Sequence, residues 1–211
     1  MMTTKWFSGT ACRCPLAPIG GETDSSFDFD RYRDSDCHSR YVRPMAVLNE
    51  RETEALESYR RYVAQRERCV AGDAPWSTIG QWFTEDAVFV DPAWGRVQGR
   101  DEITRFFDHS MAGFEGWSFP EEWTMVDGDR LVTYWWNRLP GARPDGSPFQ
   151  APAFSLLHHA GDGLFDYELD VLNIAEVGDL VVESAWVPGV GMSFPGPHPD
   201  RNITPPRLAS P

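Results

Sequence analysis

The chain has 211 residues, 41% of them hydrophobic and 13% aromatic, which is enough to bury one substantial core. Its 32 acidic and 19 basic residues give a net charge of −13, and because so negative a surface repels a phosphate backbone, no nucleic acid partner is expected. No apolar run reaches the roughly eighteen residues that a membrane span needs, and the N-terminus lacks the apolar core of a signal peptide. We therefore expect a cytoplasmic protein without a membrane partner.

Composition divides the chain into three parts. Residues 1–47 include a charge-dense run without sustained periodicity, and we expect them to form a disordered extension. Met45 stands just before the first helical pattern and is an alternative start of the protein. From Pro188 onward Pro and Gly recur, which predicts an irregular tail over residues 188–211. The folded domain is therefore predicted to span residues 48–187.

The cysteine and glycine patterns indicate neither a metal site nor a bound cofactor. Cys12, Cys14, Cys37 and Cys69 lack the regular paired spacing of structural zinc ligands, so we expect free thiols. The sequence also contains neither G-x-G-x-x-G nor a P-loop, and no nucleotide cofactor is predicted.

Periodicity predicts three helices followed by a sheet. Asn49 and Glu52 form a capping pair that opens the first helix, which ends at Gly72. A short second helix runs to Phe83, and a third, amphipathic helix covers residues 101–112. Strands are predicted at 87–91, 95–98, 119–126, 131–139, 149–159 and 164–176. Helices followed by consecutive strands indicate an α+β protein with an antiparallel sheet.

Polar side chains recur on one face of three predicted strands. Because alternate residues of a strand point to the same side, Asp91, Asn137 and Asp170 each share a face with apolar side chains. We predict that these three residues converge in a pocket, where burial raises a carboxylate pKa and suits it to proton abstraction. The predicted pocket lining comprises Phe89, Phe106, Thr133, Trp135, His158 and Leu172.

Each of these residues also has a purely structural interpretation. Asp91 precedes a proline and is equally suited to closing a turn. In the predicted strand that contains Asp170, the opposite face is the more apolar one, so Asp170 is also compatible with a position facing water. Asn137 is compatible with a satisfied buried amide. His158 and its neighbour point to opposite sides of their strand, so at least one of them lies outside a pocket.

Two segments resemble enzymes of one superfamily. Phe83-Thr84-Glu85-Asp86-Ala87-Val88-Phe89-Val90-Asp91-Pro92 resembles the ketosteroid isomerase strand whose Asp-Pro aspartate moves a proton between carbons. Arg61-Tyr62-Val63-Ala64 is similar to the segment with that family's helix tyrosine, and this resemblance implies that Tyr62 is a fourth candidate catalytic residue. In those enzymes a Tyr and a protonated Asp form the oxyanion hole; here Phe154 stands in place of that acid.

Glu168-Leu169-Asp170-Val171-Leu172-Asn173 is similar to the last strand of limonene-epoxide hydrolases and SnoaL-like cyclases, in which an Asp serves as base. Trp135-Trp136-Asn137 replaces the Arg-x-Asp that those hydrolases use. Over residues 49–177 the chain resembles the nuclear transport factor 2-like, SnoaL-like superfamily. The resemblance implies a cone-shaped fold of three N-terminal helices on a curved, mainly antiparallel sheet that encloses a pocket.

Two functions remain open. One is a cofactor-independent enzyme that isomerises or cyclises an apolar carbonyl compound or polyketide-like molecule, with Tyr62, Asn137 or His158 as oxyanion donor. The alternative is a non-catalytic protein that binds a small hydrophobic molecule or serves as an assembly module. In either case we expect a homodimer through the sheet, because one of its faces is too apolar to remain in contact with water.

Overall fold

The computed structural model describes residues 47–206, so the predicted N-terminal extension lies outside the described residues except for Val47. The elements in chain order are α1 (Glu50–Val70), a 3₁₀ helix (Trp76–Trp82), β1 (Phe83–Asp91), β2 (Gly95–Gln98), α2 (Arg100–Ser110), β3 (Glu121–Asp127), β4 (Arg130–Ala142), β5 (Pro148–Gly161), β6 (Leu164–Leu172) and α3 (Ile174–Ser184). None of the helices within residues 47–206 is long and apolar enough to cross a membrane.

The start of α1 is fixed by a capping box, as the sequence predicts. The Asn49 side chain accepts a hydrogen bond from the Glu52 backbone, and the Glu52 side chain accepts one from the Asn49 backbone. The buried face of α1 carries Tyr59, whose hydroxyl donates to Thr133 Oγ1 at 2.9 Å. This contact fixes α1 against β4.

The six strands form one mixed sheet in the order β2-β1-β6-β5-β4-β3. Only β1 and β6 are parallel neighbours; the other four pairs in this part of the chain are antiparallel. In β4 five buried side chains alternate with more exposed ones, and they define the inner face of the sheet: Leu131, Thr133, Trp135, Asn137 and Leu139. The prediction of an α+β fold with helices on a mainly antiparallel sheet is confirmed.

The end of the sheet differs from the prediction. The last strand stops at Leu172 instead of residue 176, and Ile174 begins a helix that periodicity did not reveal. The Asn173 side chain accepts a hydrogen bond from the Glu176 backbone and so caps this helix. Within α3 the buried residue is Leu180, which belongs to the same cluster of buried hydrophobic side chains as Trp135. This packing favours a helix over the longer strand that the sequence predicted.

The residues that follow α3 pack against the domain without forming a helix or strand up to residue 206. Gly189 N donates to the Gly113 carbonyl at 2.9 Å, and Arg96 N donates to the Asp200 carbonyl at 2.7 Å. Further on, the Tyr167 hydroxyl donates to the Ile203 carbonyl at 2.6 Å. The tail thus runs from the loop after α2, past β2, to β6.

Candidate active site

A cavity of about 360 Å³ lies between the helices, the inner face of the sheet and the tail. Aromatic rings from several elements form much of its wall, among them Trp76, Phe89, Phe106, Trp117 and Trp135. Several of these rings contact one another edge to face or tilted; the centroids of Phe89 and Phe106, for example, are 5.0 Å apart. The cavity is therefore largely apolar, and any polar group in its wall lies in a poorly solvated environment of low dielectric constant.

Three acids share one wall of this cavity. Val90 of β1 pairs with Leu169 of β6, and the next residues on these parallel strands are Asp91 and Asp170. Neighbouring strands are about 5 Å apart, so these two acids lie side by side. Glu168 precedes Asp170 by two residues and also lines the cavity. The like charges disfavour one another, and full ionisation of all three acids is costly.

The Asp170 carboxylate is held by a chain of hydrogen bonds. Trp135 Nε1 donates to Ser155 Oγ at 2.9 Å, and Ser155 Oγ donates to Asp170 Oδ1 at 2.5 Å. Burial raises the pKa of Asp170 to about 7. The nearby Asp91 also raises this pKa, whereas the Ser155 hydrogen bond and the charge of Arg66 lower it. Asp170 therefore changes charge close to neutral pH.

Glu168 and Tyr62 form a buried pair beside Asp170. The Tyr62 hydroxyl donates to Glu168 Oε2 at 3.1 Å, and both side chains are almost fully buried. Burial and the neighbouring Asp170 raise the pKa of Glu168 well above its usual range. Burial and Glu168 likewise raise the pKa of Tyr62. Burial therefore disfavours the charged form of each group, and the protonated form of each carries a hydrogen that it can donate.

Asp91 takes part in both a turn and the cavity wall. Its Oδ1 accepts hydrogen bonds from Ala93 N at 2.7 Å and Trp94 N at 2.8 Å, which closes the β1–β2 turn. Burial raises the pKa of Asp91, while these two backbone hydrogen bonds lower it. Oδ1 of Asp91 therefore closes the turn, and a role of Oδ2 in the cavity remains compatible with this arrangement.

A cation and an amide complete the polar part of the wall. Arg66 Nη2 donates to the Phe119 carbonyl at 3.0 Å, and its guanidinium carbon lies 6.0 Å from the centre of the Trp135 ring. Asn137 also lines the cavity, and its Nδ2 has no hydrogen-bond partner among residues 47–206. Asn137 of β4 pairs with Ala151 of β5, whereas Asp170 of β6 pairs with Ser155 of β5. Asn137 therefore lies two strands away from Asp170 and is displaced along the strand direction by four residues of β5.

The structure brings together most residues of the predicted site but not all of them. Asp91, Asn137, Asp170 and Tyr62 all line the cavity, as do Phe89, Phe106, Trp135 and Leu172. Thr133, predicted to line the pocket, does not, because its buried hydroxyl lies under Tyr59. His158 was also predicted there but faces outward, with Nδ1 at 2.6 Å from Asp166 and Nε2 at 3.1 Å from Asp129. His158 therefore does not reach the cavity as an oxyanion donor.

Sequence reasoning missed Arg66, Ser155 and Glu168. Arg66 follows Tyr59 and Tyr62 by seven and four positions, so helical spacing placed it on the same face of α1. Glu168 shares the face of Asp170, and that spacing of two was visible in the sequence. Ser155 becomes a neighbour of Asp170 only through the pairing of β5 with β6, which no local pattern reveals. Within residues 47–206 no group of three or more His, Cys, Asp or Glu side chains could hold a metal ion.

Comparisons with known proteins identify the family. Residues 59–167 match the family model of the SnoaL-like domain. This match covers more than half of the 211 residues, and the chain belongs to this family. Its helices and six-stranded sheet form the α+β fold that the sequence predicted. No curated protein matches the chain.

Similar solved structures are distant in sequence. A candidate SnoaL-like polyketide cyclase from Jannaschia sp. CCS1 is 16% identical, with a TM-score of 0.49 over 64% of this chain and 96% of that one. An NTF2-like protein from Anabaena variabilis is 15% identical, with a TM-score of 0.49 over 61% and 96%. An epoxide hydrolase of the limonene-epoxide hydrolase type from M. tuberculosis is 14% identical, with a TM-score of 0.49 over 64% and 93%.

Proposed function

We propose that this protein is a cofactor-independent enzyme that removes a proton from the carbon next to the carbonyl of an apolar small molecule. The observation that carries the proposal is Asp170, a carboxylate in the wall of an aromatic cavity with a pKa of about 7. A base with such a pKa is half ionised at neutral pH and still binds a proton strongly, which is the best compromise for proton abstraction. The Ser155 hydrogen bond holds its carboxylate in place.

The proposed reaction passes through an enolate. Asp170 takes the α-proton, and the electron pair of the broken C–H bond moves to form the enolate, whose negative charge develops on the carbonyl oxygen. Glu168, in its protonated form, lies next to this base and is the proposed donor to that oxygen, while the Tyr62 hydroxyl donates to Glu168 Oε2 and orients it. The positive charge of Arg66 further favours the anion.

Two outcomes of the enolate are consistent with the cavity. In an isomerisation, Asp170 returns the proton to a different carbon of the same molecule, so that the double bond moves and no atom is gained or lost. In a cyclisation, the nucleophilic carbon attacks a second carbonyl of the same molecule, forms a carbon–carbon bond and leaves an alkoxide that takes the proton from Asp170. Asp91, beside Asp170, is the proposed second carboxylate for this proton transfer.

Proton exchange tests the proposal without knowledge of the natural substrate. 2-Tetralone, an apolar ketone with acidic α-protons, is incubated with the protein in D₂O, and the loss of its α-proton signals is followed by NMR. We expect the wild-type protein to accelerate exchange and Asp170→Asn to abolish the acceleration. If wild-type protein and buffer exchange at the same rate across a panel of such ketones, the alternative of a non-catalytic ligand-binding or assembly protein is favoured.

We also propose that the protein is a cytoplasmic homodimer that pairs through the outer face of its sheet. Trp123, Tyr134 and Phe154 contact one another on this face, with ring centroids 5.0 to 6.0 Å apart. Phe154 remains 42% exposed and Val171 53% exposed, so apolar area is available for a second copy. Light scattering after size exclusion tests this, with Phe154→Asp expected to give monomers; a wild-type monomer would contradict it.

A further inference from the structure

The C-terminal tail contributes a wall of the cavity that the domain alone lacks. Four consecutive residues, Met192–Pro195, line the cavity, although the segment forms neither helix nor strand. Among them Phe194 is 71% exposed, which is unusual for a large aromatic side chain next to an apolar cavity. A ligand that fills the cavity would cover part of this ring and remove it from water.

Contacts on both sides of Phe194 hold the segment in place. On the N-terminal side, Gly189 N donates to the Gly113 carbonyl, and Ser193 Oγ lies 3.2 Å from His109 Nδ1 of α2. Gly113 has φ +84°, and a Cβ there would lie 2.7 Å from Met192 Cβ. The tail therefore approaches this backbone too closely for any residue other than glycine.

The second anchor is the β1–β2 hairpin. Arg96 donates from its backbone to the Asp200 carbonyl at 2.7 Å and from Nη1 to the Thr204 carbonyl at 2.6 Å. Gly95 has φ +86°, and a Cβ there would lie 2.5 Å from the Asp200 carbonyl oxygen. One arginine thus satisfies several tail carbonyls, and the adjacent glycine leaves room for the tail to pass.

We propose that Phe194 is a ligand-contacting residue and that the segment Met192–Pro195, positioned by Arg96, covers apolar ligands bound in the cavity. This inference depends on the apolar-ligand part of the proposed function and not on proton abstraction. The ring lies between two fixed points of the tail, so its position relative to the cavity is defined before a ligand arrives, which lowers the entropic cost of contact.

Binding of N-phenyl-1-naphthylamine, an uncharged dye that fluoresces in apolar surroundings, tests the role of Phe194. We expect Phe194→Ala to weaken binding about tenfold, since the variant loses apolar area that the dye covers. Phe194→Leu should restore most of the affinity. Val190→Ala is the matched control, because Val190 is a fully exposed apolar residue of the same tail that does not line the cavity. Equal affinities for wild type and Phe194→Ala, or an equal loss in Val190→Ala, would overturn the proposal.

The positioning role of Arg96 has a kinetic signature. Arg96→Ala should speed dye dissociation at least fivefold in stopped-flow measurements, because the released tail no longer covers the ligand. In the double variant, Arg96→Ala should add little to the effect of Phe194→Ala on dye dissociation, since both changes remove the same contact. Additive effects of the two substitutions would contradict the positioning role. Asp170→Asn separates the two proposals: it should lose proton exchange yet retain the sensitivity of dye binding to Phe194→Ala. Failure of the wild type to bind the dye would overturn this inference, whereas proton exchange is measured independently.

Discussion

Replacement of Asp170 by asparagine should make the protein more stable above neutral pH while abolishing proton exchange. Asparagine has nearly the same shape as aspartate, and its Oδ1 can still accept the hydrogen bond from Ser155 Oγ. The substitution therefore removes the charge and the basic function with little change in packing. A residue retained for catalysis at a cost in stability should respond in this way.

The magnitude follows from the pKa of Asp170 in the folded protein. Burial raises this pKa from 3.8 to about 7. The folded state holds the proton of Asp170 more strongly than the unfolded state does. The contribution of Asp170 to the free energy of unfolding is therefore most favourable below about pH 4 and falls as the pH rises to about 7. At about 1.4 kcal/mol for each pH unit between the two pKa values, the ionised group costs up to about 4 kcal/mol. Contact of Asp170 with solvent in the cavity makes this an upper bound.

Chemical denaturation of wild type and Asp170→Asn at pH 4 and pH 8 measures the effect. At pH 4 the two free energies of unfolding should agree to about 1 kcal/mol, and at pH 8 the variant should be more stable by about 2 to 4 kcal/mol. For a domain of this size, that difference raises the melting temperature by about 10 °C. Asp179→Asn, at an exposed position of α3, serves as the control and should change neither value. A variant less stable than wild type at pH 8 would refute the idea that Asp170 is a desolvated carboxylate.

Three further predictions address neighbouring residues. Asp91→Asn should keep the turn, because an asparagine oxygen accepts the same backbone hydrogen bonds, and should slow 2-tetralone exchange at least tenfold; an unchanged rate by NMR would limit Asp91 to the turn. Glu168→Gln should slow exchange about a hundredfold. The infrared spectrum of this variant at pH 7 should lack a protonated-carboxyl band that wild type shows, and absence of that band from wild type would contradict a neutral Glu168. His158→Gln should leave exchange unchanged within twofold but reduce stability at pH 6. The hydrogen bond that His158 Nδ1 donates to the Asp166 carboxylate raises the pKa of His158, and its stabilisation disappears as the pH rises through that pKa. A large loss of exchange in His158→Gln would contradict its position outside the cavity.

The local patterns of the sequence predicted the parts of the fold that local physics determines. The capping box at Asn49 and Glu52 defined the start of α1 because both interactions lie within one turn of helix. Alternation along β4 placed Trp135 and Asn137 on the inner face because side chains repeat every two residues in any strand. The same alternation placed Asp170 correctly relative to its own strand but did not decide which face of that strand lies inside.

Long-range pairing determined what the sequence could not reveal. The β5–β6 register shifts between His158 and Gly161, so Phe165 joins the core while Asp166 turns outward to His158. A strict alternation of side chains through this strand would place Asp166 on the same face as Asp170. The tail presented the same difficulty, because the Pro and Gly pattern predicted its irregular backbone but carried no information about its contact with Arg96.

The energetics of the cavity wall favour a functional explanation for its acids. Asp91, Glu168 and Asp170 all have pKa values raised by burial, so each one destabilises the folded protein when it is ionised. A cavity that served only to hold an apolar ligand would gain stability from apolar side chains at these three positions. The Ser155 hydrogen bond and the Tyr62 contact reduce this cost without removing it, and they fix two of the carboxyl groups in one orientation. Acids that are costly when ionised and held in one orientation, one of them with a pKa of about 7, are what proton transfer requires and what passive binding does not.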